Sequence, residues 1–224
     1  LAGPELPWQP SFEESPMLRF AGLSKSFGRR SVIENARLDL TPGIYALQGP
    51  NGIGKSTLLS LLAGALPLDA GSVSIAGASL TETPIQARQR LSYVPDESPI
   101  YPFVTGREFL YFVAHAKQAS VDRPVIDLVH GFGLDPQLDV RFSAMSLGTQ
   151  KKFLLCAAWI GDPSVLLMDE PSNGLDKDAR SFLALLLKKS EDSKVILFTS
   201  HDADFVSSSG AEVLSMDRIF SRRQ

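Results

Sequence analysis

Residues 49 to 57 read Gly49-Pro50-Asn51-Gly52-Ile53-Gly54-Lys55-Ser56-Thr57, a full match to G-x-x-x-x-G-K-[ST]. Glycines at these places let backbone N–H groups turn inward around phosphates, and a helix starting at the lysine directs its positive end at the same anions. Lys55 would reach the β and γ phosphates, and the Ser56 hydroxyl could ligate magnesium. A second group closes the apolar run Val165-Leu166-Leu167-Met168 with two adjacent carboxylates, Asp169 and Glu170. In such a pair Asp169 would hold magnesium, directly or through water, while Glu170, on the opposite side of the pleat, would polarise or deprotonate an attacking water. Each pattern has a plainer explanation: a glycine-rich turn with a solvated lysine, and a strand that ends in an acidic turn. Their presence together in one chain weakens both.

These groups need rigid elements behind them. Ile44 to Gln48 is a short apolar run that stops at Gly49, and Ser56 to Ala63 has helical apolar spacing closed by Gly64, so the glycine loop is expected between a strand and a helix. Val165 to Met168 and Val195 to Thr199 are apolar throughout, the pattern of strands buried on both faces of a parallel sheet. A helix with apolar Phe182, Leu185 and Leu186 joins them. Earlier come strand-like segments at Leu18 to Phe20 and Ser31 to Leu40, and a short one at Val73 to Ala76. From Pro84 to about Ala158 the chain reads as mostly helical, interrupted by Pro95, Pro99, Pro102 and the turn region Gly131 to Pro136. The expected fold class is α/β: a P-loop NTPase core with a mostly parallel sheet, an N-terminal antiparallel β subdomain and a helical insertion over about 84–158. Its active site belongs at the carboxyl ends of the strands.

At 44% hydrophobic and 21% charged, the composition is that of an ordinary globular protein, and one domain is expected over residues 17–224. Residues 1–16 carry four prolines, no apolar period and no cationic start, which suits a leader or appended extension rather than a secretory signal. No apolar stretch approaches the roughly 20 residues of a membrane-spanning helix. A net charge of −3, with basic pairs only at Arg29-Arg30 and Arg222-Arg223, argues against nucleic acid as a partner. The one cysteine, Cys156, cannot form an internal disulfide, which fits a reducing, cytosolic setting.

The remaining motifs, in their order, resemble those of ABC-type ATPases over residues 18 to about 217. Met145-Ser146-Leu147-Gly148-Thr149-Gln150-Lys151-Lys152 is similar to that family's signature, and Pro171-Ser172-Asn173-Gly174-Leu175-Asp176 to its D-loop. Thr199-Ser200-His201 is similar to the strand end that bears the family's switch histidine, and Phe27 to the aromatic residue that stacks on adenine. The resemblance implies an ATP-binding and hydrolysing subunit of an ABC transporter, cytoplasmic and peripheral to the inner or plasma membrane through integral membrane partner subunits. It implies residues 49–57 and Phe27 as nucleotide contacts, Glu170 and His201 as catalytic residues, and Ser56, Asp169 and Asp96 at magnesium. It also implies a head-to-tail dimer with a second copy or a paralogue, in which Ser146, Gly148 and Asp176 act across the interface. Two alternatives stay open: an ABC-type ATPase outside transport, and a regulatory module that binds ATP with little turnover.

The chain departs from the family pattern in places. Asp96, in Tyr93-Val94-Pro95-Asp96, stands where the family usually has glutamine and adds negative charge near the phosphates. Leu147 replaces the first glycine of the signature, and Thr149 its terminal glutamine. The stretch from Glu97 to Tyr111 is proline-broken and carries Pro99, Tyr101, Pro102, Phe103 and Phe109. By resemblance it would receive a short helix from a membrane subunit.

Overall fold

Strands packed on both faces have no solvent side, and the apolar runs of this chain follow that rule. The computed structural model describes residues 16–97 and 100–219. It opens with β1 (Leu18–Phe27) and β2 (Arg30–Leu40), followed by β3 (Gly43–Gln48) and α1 (Lys55–Leu62). Next come β4 (Ala70–Ile75), β5 (Ala78–Ser79), α2 (Pro84–Gln89) and β6 (Leu91–Val94), then α3 (Gly106–Ala116), α4 (Arg123–Gly131) and α5 (Leu147–Ala158). The last part is β7 (Val165–Met168), α6 (Lys177–Ser190), β8 (Val195–Thr199), α7 (Ala203–Ser209), β9 (Glu212–Ser215) and α8 (Met216–Ile219). Among the described residues no helix is long and apolar enough to cross a membrane.

Among the described residues two sheets form: an antiparallel one in the order β2-β1-β4-β5 and a parallel one in the order β6-β7-β8-β3-β9. In the parallel sheet Leu166 stands beside Ile196, and Ile196 beside Ile44. These residues, with Met168 and Phe198, face a core built with α3 to α7. The alternate residues Leu47, Leu167 and Leu197 face a second core, shared with α1 and the antiparallel sheet. Alternation is therefore present in these strands, but it sorts side chains between two dry cores rather than between core and water. Lying between the two sheets, α1 buries Leu58, Leu59, Leu61 and Leu62, more than a single amphipathic stripe.

Several expectations need correction. The stretch from 84 to 158 is not helical throughout, because Leu91–Val94 pairs with β7 as the edge strand of the parallel sheet. Four residues are too few to show a period. In α6 the buried face is Ala179, Leu183, Ala184 and Leu187, whereas Leu185 is 59% exposed. The strand expected at Val73 to Ala76 runs from Ala70 and stops before Ala76, whose φ of 46° ends the extended backbone. Residues 1–15 of the expected leader, Ser98, Pro99 and the Arg222-Arg223 pair lie outside the described residues.

Phe198 is fully buried and meets Phe205 edge to face with ring centroids 5.4 Å apart. Phe198→Ala is expected to lower the unfolding free energy by about 3 to 5 kcal/mol, read as a shift of the urea midpoint at constant m-value. A loss below about 1 kcal/mol would contradict the close-packed core described here.

Candidate active site

The strands of the parallel sheet all point the same way, so the loops after β6, β7, β8 and β3 emerge at one end. After β3 comes the glycine loop. Gly52 and Gly54 have φ of 74° and 114°, in the left-handed region open to glycine, and a Cβ on Gly54 would lie 2.9 Å from Val32 Cγ1. Gly54 is the N-cap of α1 and brings no side chain to cap it, so the first N–H groups of α1 have no intrahelical acceptor and face outward for an anion. Lys55 folds back over the loop, its Nζ donating to the Gly49 carbonyl at 2.7 Å and the Pro50 carbonyl at 3.4 Å.

The acid pair follows β7 and is tied to the end of β8. Thr199 Oγ1 donates to Asp169 Oδ1 at 2.6 Å and accepts the Glu170 N–H at 2.9 Å, so one buried hydroxyl orients both residues. Glu170 has a φ of 46°, a strained backbone for a residue with a Cβ. Its Oε2 accepts the His201 N–H at 3.2 Å, and its Oε1 lies 3.4 Å from His201 Nε2. Burial lifts the Glu170 carboxyl above the ordinary glutamate range; the His201 N–H and imidazole oppose that lift, and the charges of Asp169 and Asp96 add to it.

These groups share one cleft of about 550 Å³. The glycine loop and α1 contribute Asn51, Gly52, Gly54, Lys55, Ser56 and Thr57 to its lining. Asp96, Asp169, Glu170 and His201 line it from the loops after β6, β7 and β8, and Phe27, 51% exposed, lines it from the antiparallel sheet. Gly49, Pro50 and Ile53 belong to the same loop but do not line the cleft; Ile53 is buried, and Gly49 packs near Met216.

The ABC transporter family profile matches residues 33–173, well over half of the chain. The chain belongs to the ABC transporter family. It is 34% identical over 194 residues to Nod factor export ATP-binding protein I of Paraburkholderia xenovorans, covering 82% of this chain and 62% of that protein. It is 28% identical over 193 residues to linearmycin resistance ATP-binding protein LnrL of Bacillus subtilis, covering 83% of this chain and 61% of that protein. This chain thus spans about three fifths of the length of these curated relatives. A solved ATP-binding subunit of an ABC transporter, 26% identical, superposes with a TM-score of 0.82 over 89% of this chain and 85% of its own.

In this ABC family member, Ser146, Gly148 and Asp176 stand apart from the cleft. Ser146 caps α5 by accepting the Thr149 N–H at 3.2 Å. Asp176 caps α6 by accepting the Ala179 N–H at 2.8 Å and pairs with Lys152 Nζ at 2.7 Å. A Cβ on Gly148 would lie 2.4 Å from the Gly174 carbonyl oxygen, so only glycine lets the start of α5 rest on the 171–176 segment. Motif reading overlooked Arg30, Asn173 and the hydroxyl role of Thr199. Arg30 and Asn173 line the cleft, and Arg30 pairs with Phe27 across the β1–β2 turn, a relation visible only in the hairpin register.

Thr199→Val keeps the shape of the side chain and deprives the Asp169 carboxylate and the Glu170 N–H of their shared partner. It is expected to cost about 1 to 3 kcal/mol of stability, measured by chemical denaturation of nucleotide-free protein. A midpoint equal to the parent's would show that this hydroxyl does not hold the acid pair.

Proposed function

We propose that the chain is an ATP-binding and ATP-hydrolysing subunit of an ABC transporter, coupling closure of an ATP-loaded dimer to movement in separate integral membrane subunits. The observation that carries this reading is the convergence of Lys55, Ser56, Asp169, Glu170 and His201 on one cleft at the carboxyl ends of parallel strands. Backbone N–H groups of the glycine loop and α1 bind the phosphates, Lys55 exchanges its carbonyl partners for phosphate oxygens, and the ring of Phe27 stacks on the base. Glu170 accepts a proton from the attacking water, and His201 orients that water or the γ phosphate beside it.

The Ser56 hydroxyl and the carboxylates of Asp169 and Asp96 are hard oxygen donors in one cleft, a set that suits magnesium held partly by the nucleotide itself. When bound, magnesium would neutralise charge developing on the phosphates. Ser146, Gly148 and Asp176 would serve a second copy or a paralogue in a head-to-tail pair. Leu147, 81% exposed beside Ser146, supports such an interface because a large apolar side chain there has no cover within the single chain. Tyr101, Phe103 and Phe112 are likewise exposed around an apolar groove of about 490 Å³, which supports docking of a membrane subunit there. Through that partner the chain would work at the cytoplasmic face of the inner or plasma membrane. The export and resistance roles in the names of its relatives favour outward transport.

Purified protein is expected to release phosphate from ATP only with magnesium, and Glu170→Gln to slow turnover by about 100-fold or more while an ATP-bound dimer accumulates in size-exclusion chromatography. Turnover unchanged by that substitution would remove Glu170 from the chemistry. Phe27→Ala is expected to raise KM for ATP by about tenfold at similar kcat, as loss of base stacking would. An unaltered KM would rule out Phe27 as the stacking face.

A further inference from the structure

Lys151 has no part in the hydrolysis described above, yet it is one of the most connected polar side chains near the cleft. It sits in α5 at 5% exposure. Its Nζ donates to the carbonyls of Pro95 at 3.0 Å, Asp96 at 3.2 Å and Asp169 at 3.3 Å, and lies 3.8 Å from Asp96 Oδ1. An ammonium has three donors, so the carbonyls use them all and the Asp96 carboxylate is held by charge. Asn173 Nδ2 donates to that carboxylate at 3.4 Å. Burial pulls the Lys151 pKa below the ordinary lysine value, and the charges of Asp96, Asp169 and Glu170 oppose that change. All three of those carboxylates line a cleft that is read as taking a polyanion.

We propose that Lys151 is a positioning residue for the ATPase reaction. It ties the loop after β6, the tip of β7 and the start of α5 into one unit, and it offsets the Asp96 charge so that an acid can stand beside the phosphates. The inference rests on the ATPase reading. It has a specific consequence: Asp96 and Lys151 must be coupled with a change of sign. With Lys151 present, Asp96→Asn removes the counter-charge of a buried ammonium and is harmful. With Lys151→Gln, the same change removes an uncompensated carboxylate and stabilises the nucleotide-free protein.

The test is a double-mutant cycle of Lys151→Gln and Asp96→Asn, read by steady-state phosphate release and by the thermal midpoint of nucleotide-free protein. Lys151→Gln is expected to lower kcat, normalised to the folded fraction read from the melting curve, about tenfold with KM for ATP within about twofold; the normalisation removes the loss that general destabilisation would produce. Asp96→Asn is expected to lower the midpoint of nucleotide-free protein in the parent but to raise it in Lys151→Gln; kcat, which also reports the loss of a magnesium donor, is expected to fall about threefold less in Lys151→Gln than in the parent. Effects of the same sign and size in both backgrounds overturn the proposal. If Lys151→Gln is not recovered folded, soluble yield becomes the readout: the double variant must be recovered in greater amount, and equal recovery overturns the proposal. A parent without turnover sinks the ATPase reading and leaves the melting cycle to decide the coupling; a parent with turnover and an additive cycle sinks the coupling alone.

Discussion

A sheet covered on both faces leaves charge nowhere to go except its ends. β7 and β8 are buried along their whole length, and the first carboxylates appear at residues 169 and 170, where β7 stops. Register then decides what meets there. Met168 pairs with Phe198, so Asp169 falls beside Thr199; Leu47 pairs with Thr199, so the glycine loop begins beside Ser200 and His201. A slip of one residue would exchange the two cores and carry the acid pair out of reach of the loop. Packing of aliphatic side chains thus sets the geometry of the polar cleft.

Within that cleft the polar groups constrain one another. Thr199 binds the side chain of Asp169 and the backbone of Glu170 at once, which holds Glu170 in its left-handed conformation. His201 then meets Glu170 through both backbone and ring. A desolvated carboxylate held this way keeps two accepting oxygens and a raised proton affinity, both of which suit a base. Relaxing the strain at residue 170 would rotate that carboxylate away from His201, so strain and orientation belong to the same arrangement.

Much of this was legible in the sequence, for reasons that differ by element. The glycine loop, the acid pair and His201 are visible because each depends on residue type at a strand end, and the apolar runs behind them are long enough to name as buried strands. The antiparallel layer was visible as alternating apolar residues, although β1 extends to Phe27 through irregular register that no simple period captures. β6 escaped notice because a four-residue edge strand beside a helix carries no period of its own. The contacts of Arg30 and Lys151, the latter read only as part of the signature segment, were not legible for another reason: their partners lie 3 and 55 or 56 positions away in the chain, and only the fold brings them together. The exposure of Leu185 was not legible because apolar content alone does not say which side of α6 faces the sheet.

The same long-range contacts show why the cleft and the segments outside it do not form separate modules. Lys151 and Lys152 are neighbours on α5, yet one reaches beneath the cleft to the carbonyls of Asp96 and Asp169 while the other pairs with Asp176 at the start of α6. Gly148 rests on the carbonyl of Gly174, between those two anchorages. The Lys152–Asp176 pair is partly exposed and worth little by itself. The contact at Gly148 and the buried ammonium of Lys151 leave much less room for independent movement. Residues assigned to a neighbouring copy in the proposed dimer, Ser146 and Gly148, are therefore mechanically joined to the tip of β7 in their own chain. A change in the loop after β6 or in the acid pair must be accommodated by α5, because the side chain that fills the space between them has all three of its donors committed.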